Sequence, residues 1–101
     1  MANWVPLSPA RPQVGIAGQN LTLGATSVQS AAFNAQTYMV RISATGNCHV
    51  AIGTNPTAVA TDMLVKATDG PWLVKVAPGE KIAVIQDAAS TGTLNISEQT
   101  F

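Results

Sequence analysis

Apolar and polar positions alternate with period two along most of the chain, and that alternation predicts β-strands. The clearest stretch is Thr37 to Ala44, TYMVRISA, with Tyr38, Val40 and Ile42 on one face and Met39, Arg41 and Ser43 on the other. Thr45-Gly46-Asn47 supplies turn chemistry, and Cys48 to Ile52 returns with Cys48, Val50 and Ile52 together, which predicts an antiparallel hairpin. Near the end, Thr93 to Glu98 alternates Leu94 and Ile96 inward with Asn95 and Ser97 outward. Two further runs, Trp72 to Val76 and Lys81 to Gln86, are apolar on nearly every position. A half-solvated hairpin would alternate, so at least the second run is expected to be covered on both faces, by a facing sheet and by a neighbouring chain or segment. Between them, Pro78 presets φ and Gly79 tolerates positive φ, the chemistry of a type II turn. Such a turn suits a tight hairpin poorly, so Val76 to Lys81 reads either as a hairpin tip or as a corner between two sheets.

The remaining segments fill in around these. Gln13 to Ala17 and Asn20 to Thr26 are expected strands bent at Gly18-Gln19, with Leu21 and Leu23 sharing a face. Gln29 to Gln36 is too short for a stable isolated helix and reads as a loop with Phe33 facing the core. Gly53 to Thr57 breaks the pattern, Ala58 to Thr61 continues as a small-residue loop, and Asp62 to Ala67 is a short strand. Residues 1–12 carry Pro6, Pro9 and Pro12, which remove backbone donors and favour extended geometry; they read as an N-terminal arm preceding a domain over 13–101. Trp4, Val5 and Leu7 lie in that arm, as a plug over one end of the domain or an anchor on another subunit. About eight short strands without a convincing helix predict an all-β fold: a single antiparallel β-sandwich, jelly-roll-like.

Composition narrows the function. The 101 residues fit one domain with a modest core. Five Lys and Arg balance five Asp and Glu, and the basic residues are dispersed, so nucleic acid is not an expected partner. Charged residues make up 10% of the chain, against about 25% in typical soluble domains. A surface so neutral lacks the charge that keeps monomers apart, and burial in an assembly follows naturally. Cys48 is the only cysteine, so no intramolecular disulfide forms and folding in a cytoplasm is expected. No apolar run is long enough to span a bilayer, and the N-terminus lacks signal-peptide character. The Asn20-Leu21-Thr22 and Asn95-Ile96-Ser97 triplets match the glycosylation pattern by chance on this reading.

The chemical inventory is thin. His49 is the only histidine, and Cys48 beside it points to the opposite strand face, so the two do not form an activated thiol pair. The sequence reads His49 as a surface strand residue and Cys48 as a small buried apolar one. Asp62, Asp69, Glu80, Asp87 and Glu98 fall mostly at expected strand ends and turns, where carboxylates solvate or bond the backbone. No phosphate-binding loop is present, and no catalytic residue, metal ligand or cofactor is expected. Trp72 and Leu73, entering a strand, join Trp4, Val5 and Leu7 as interface candidates, with sugar stacking on Trp72 the lesser reading.

The stretches TYMVRISATGNCHVAIGTNPTAVATDML (37–64), VAPGEKIAVI (76–85) and GTLNISE (92–98) resemble small β-sandwich cement or decoration proteins of tailed bacteriophages. The resemblance covers roughly residues 30–98 and leaves the arm outside. It implies a non-enzymatic protein of the virion, made in the host cytoplasm, that homo-oligomerises, as a trimer first and a dimer next. Its partner would be the major capsid protein, bound across subunit junctions on the capsid surface. A tail or neck component is the alternative, and a carbohydrate-binding module a more distant one.

Overall fold

The computed structural model describes residues 11–68 and 71–100, which form nine strands and no helix. They are β1 (Arg11–Pro12), β2 (Gln19–Thr22), β3 (Val28–Gln29), β4 (Met39–Ala44), β5 (Cys48–Gly53), β6 (Met63–Val65), β7 (Trp72–Lys75), β8 (Lys81–Gln86) and β9 (Thr93–Thr100). All pairings are antiparallel. One sheet is built on β9: β1 and β2 pair in succession along one edge, β4 along the other, and β7 lies beyond β4. The second sheet runs β3-β8-β5-β6. The all-β, two-sheet expectation is met.

From β2 to β5 and again from β6 to β9, every connection crosses between the sheets. Thr45–Asn47 joins β4 in the first sheet to β5 in the second, so the hairpin expected there does not form. Both edges of β4 are taken by β9 and β7, and both edges of β5 by β8 and β6. Alternation identifies a strand's inner face but is silent on its partner, which is why the short link looked like a hairpin tip. Ala77–Glu80 is likewise a corner, carrying the chain from β7 to β8. Gly79 has φ of 83° and Glu80 N donates to Ala77 O at 3.1 Å, as a type II turn requires. Gln13 to Ala17 is not a strand but a turn region after β1, and the run expected to end at Thr26 stops at Thr22. Of the expected arm, Arg11 and Pro12 pair with Thr100 and Gln99; Trp4, Val5 and Leu7 lie outside the described residues, as does Asp69.

The core fills the space between the sheets with Val40, Ile42, Leu94 and Ile96 from one and Cys48, Val50, Ile82 and Val84 from the other. Leu21, Leu23 and Phe33 close it, as their positions predict. Ala83 faces away from this core, opposite Ala51, yet it is fully buried. Its cover is the chain's own segment 54–62. Gln29 Nε2 donates to Asn55 Oδ1 at 2.9 Å and to Pro56 O at 2.7 Å, and Ala58 N donates to Ser27 Oγ at 2.9 Å. These bonds hold the segment over β3 before it returns to β6 on the far edge of the sheet. The alanines leave room for it, and β8 is covered on both faces without a second chain.

Candidate functional site

The short corners join the inner strands β4 to β5 and β8 to β9, and Thr45 N–Thr93 O and Asp87 N–Asn47 O bonds tie these corners together, an arrangement that sets the edge strands β6 and β7 on the same side of the sandwich. That side gathers exposed apolar residues: Tyr38, Met63, Leu64, Trp72 and Leu73. Tyr38 is 59% exposed, Trp72 44% and Leu73 48%, so both described interface candidates are on the surface. Tyr38 was expected to face inward with Val40 and Ile42. Instead Thr37 turns in at the mouth of the strand, because its hydroxyl is held by Glu98, and Tyr38 turns out. Tyr38, Met39, Leu73, Val74 and Lys75 line an open groove of about 310 Å³ between β4 and β7. Its walls are mostly apolar, whereas a sugar's hydroxyls need a set of convergent polar partners.

The free edge of β7 is also defined. Val76 N donates to Tyr38 O at 3.0 Å, and bonded pairs alternate along an antiparallel ladder. Trp72 and Val74 therefore spend their backbone groups on β4, and Leu73 and Lys75 turn theirs away from the sheet. Among the described residues no strand pairs with that edge.

His49 is not a surface residue as expected. It is buried, with Nδ1 2.9 Å from the carbonyl oxygen of Asp62 and Nε2 3.0 Å from Asp87 Oδ1. Both ring nitrogens face acceptors, so the doubly protonated imidazolium alone satisfies both contacts. The bond to the Asp62 carbonyl, then that to the Asp87 carboxylate, raise its pKa against the opposing effect of burial. With both nitrogens engaged, the ring pins the 54–62 segment to the end of β8 rather than serving as a base. Cys48 points into the core, where burial and then the charge of Asp87 push its thiol up to about 11. It is inert at neutral pH, as the sequence suggests.

A histidine with a raised folded pKa stabilises the fold fully below its unfolded value near 6.5, and that contribution is lost as pH rises through the folded value. The urea midpoint is therefore expected to fall between pH 6 and pH 9. A His49→Gln variant should be less stable at pH 6 and show a flatter profile over the same interval. Parallel slopes for the two proteins would remove His49 as the cause.

At the other end of the sandwich is a polar cluster that the sequence reading missed. Glu98 was placed among residues at strand ends, but it sits inside β9 on the inward face, opposite Val40, and is buried. Its Oε1 accepts from Asn34 N at 2.9 Å and from Thr37 Oγ1 at 2.6 Å. Gln13 Nε2 donates to Thr37 Oγ1 and to Gln99 O, and Asn34 Nδ2 donates to Gln13 Oε1. The signal was available: Glu98 has the same parity as Leu94 and Ile96. Gln13 thereby ties the segment following β1 to β9 and to the mouth of β4.

Asp62, Glu80 and Asp87 do lie at strand ends and turns; the Asp62 and Glu80 carboxylates accept from the backbone at Val59 N and Ala77 N, whereas that of Asp87 is bonded to the His49 ring. Among the described residues, no three His, Cys, Asp or Glu side chains come together as a metal-binding group, and no helix is long and apolar enough to cross a membrane. No protein-family model, no curated protein and no solved structure matches the chain.

Proposed function

We propose that this chain is a non-enzymatic structural protein of a tailed-bacteriophage particle, a cement protein that self-associates and binds across junctions between major capsid protein subunits. The observation that carries the reading is the apolar β6–β7 side of a protein with only 10% charged residues. A surface of that kind gains by being covered. The resemblance of residues 37–64, 76–85 and 92–98 to phage head proteins supplies the biological setting. The strand orders β2-β9-β4-β7 and β3-β8-β5-β6 support reading the sandwich as a jelly roll, with two antiparallel ribbons wrapped across both sheets. Each square ångström of apolar surface covered at a capsid junction contributes about 25 cal/mol, so many copies reinforce a shell without chemistry.

Particles assembled without this protein are expected to lose infectivity on heating or osmotic shock under conditions that complete particles survive. Equal survival would reject the stabilising role. Labelled protein should decorate the whole head; a single spot at one vertex would instead support a tail or neck component.

A further inference from the structure

We infer that the free edge of β7 is a self-pairing edge, which joins to β7 of a second copy in an antiparallel, twofold arrangement with Leu73 opposite Leu73. This deepens the self-association in the proposed function and rests on it, replacing the threefold expectation with a twofold contact. Natural sheets protect an exposed edge with charges, prolines or bulges. β7 is Trp-Leu-Val-Lys, with one charge at its end and no proline within it. Its outward-facing backbone groups belong to Leu73 and Lys75.

Opposed residues in a sheet share a face, so a twofold axis must pass through a residue pair, not between residues. Centred on Leu73, the pairing sets Trp72 opposite Val74 and Lys75 opposite Pro71, so no like charges meet. Leu73 exchanges two bonds with its copy, and Lys75 N meets the Pro71 carbonyl on each side. Centring on Val74 would bring the two Lys75 ammonium groups closer together. Because β6 lies on the same side, Met63 and Leu64 come against their copies as well. Together the exposed side chains offer on the order of 500 Å² per copy, a substantial part of the roughly 800 Å² per partner in a standard interface.

The test uses the full chain in solution. Sedimentation velocity of the unaltered protein should show a dimer, and Leu73→Lys should raise its dissociation constant about tenfold or more, while the two proteins melt alike when diluted to monomer. In the proposed register the two Leu73 Cα atoms are about 5.5 Å apart, within disulfide range. A Leu73→Cys variant should therefore cross-link to itself under mild oxidation. Cys48 does not compete, being buried with its pKa at about 11. Val28→Cys, on the opposite side of the sandwich, is the control and should not cross-link beyond background. A monomeric native chain would overturn self-association itself. A native oligomer that Leu73→Lys leaves intact, or in which Leu73→Cys cross-links no better than Val28→Cys, would overturn only the β7 edge, and a native trimer would overturn the twofold contact.

Discussion

Replacing Gly46 with alanine is expected to destabilise the protein by about 4 kcal/mol or more, a large part of the stability of a domain of this size. A Cβ built on Gly46 would lie 2.1 Å from the carbonyl oxygen of Thr91, 2.9 Å from its carbonyl carbon and 3.2 Å from Leu23 Cδ1. The first two are backbone atoms and have no rotamer by which to retreat. They belong to the second corner, between β8 and β9, which passes the β4–β5 corner at this point. Thr45 N donates to Thr93 O at 2.9 Å, Thr93 N donates to Thr45 Oγ1 at 2.8 Å, and Asp87 N donates to Asn47 O at 3.0 Å. An added methyl must part the two corners and break this clasp. Gly92 meets the same crossing from the other side, where its Cβ would come within 2.6 Å of Thr45 Oγ1. Thermal melting checks the claim: a loss of 4 kcal/mol corresponds to roughly 15–30 °C in a domain of about 100 residues. Gly53→Ala is the control, since nothing lies within 4 Å of its Cβ. A Gly46→Ala protein melting within a few degrees of the parent would refute the crossing.

The second large effect is expected at Glu98. Changing it to leucine removes the acceptor for Asn34 N and for the Thr37 hydroxyl, both in the partly closed end of the sandwich. Each buried donor left without a partner costs about 1–3 kcal/mol, so Glu98→Leu should lose roughly 2–5 kcal/mol despite its greater apolarity. Glu98→Gln keeps an oxygen acceptor for both donors and should lose only about 1 kcal/mol. The comparison isolates hydrogen bonding from side-chain volume. Urea denaturation would measure it, and a leucine variant as stable as the glutamine variant would show that the network contributes little.

Much of the strand inventory was legible because burial imposes a period of two. Val40, Ile42, Leu94 and Ile96 read as inward and are fully or almost fully buried; Phe33 reads as core-facing from a loop and is buried. The turn at Pro78-Gly79 was legible because proline and glycine have narrow and distinctive φ preferences. Other positions were not. Tyr38 has inward parity, yet the polar network around Thr37 and Glu98 takes that place. His49 stands on the outward face of β5, where solvent is the default, but the 54–62 segment crosses back over the sheet and buries it. The apolar side that forms the candidate interface was visible only in part, as Trp72 and Leu73. Met63 and Leu64 join them because β6 and β7, in different sheets, end on the same flank.

The sequence by itself determined which faces of the strands turn inward, where the chain bends, and that the surface is too neutral to repel its neighbours. Those are local or compositional properties, set by side-chain chemistry and backbone sterics within a few residues. Tertiary structure alone decided that Thr45–Asn47 is a corner and not a hairpin, because strand pairing depends on backbone edges that every sequence presents alike. It also decided the reason for glycine at 46: not freedom of φ, but the absence of a Cβ where two distant corners touch. And it left β7 with one edge that no other described strand pairs with, and placed Trp72 and Leu73 on the surface beside it.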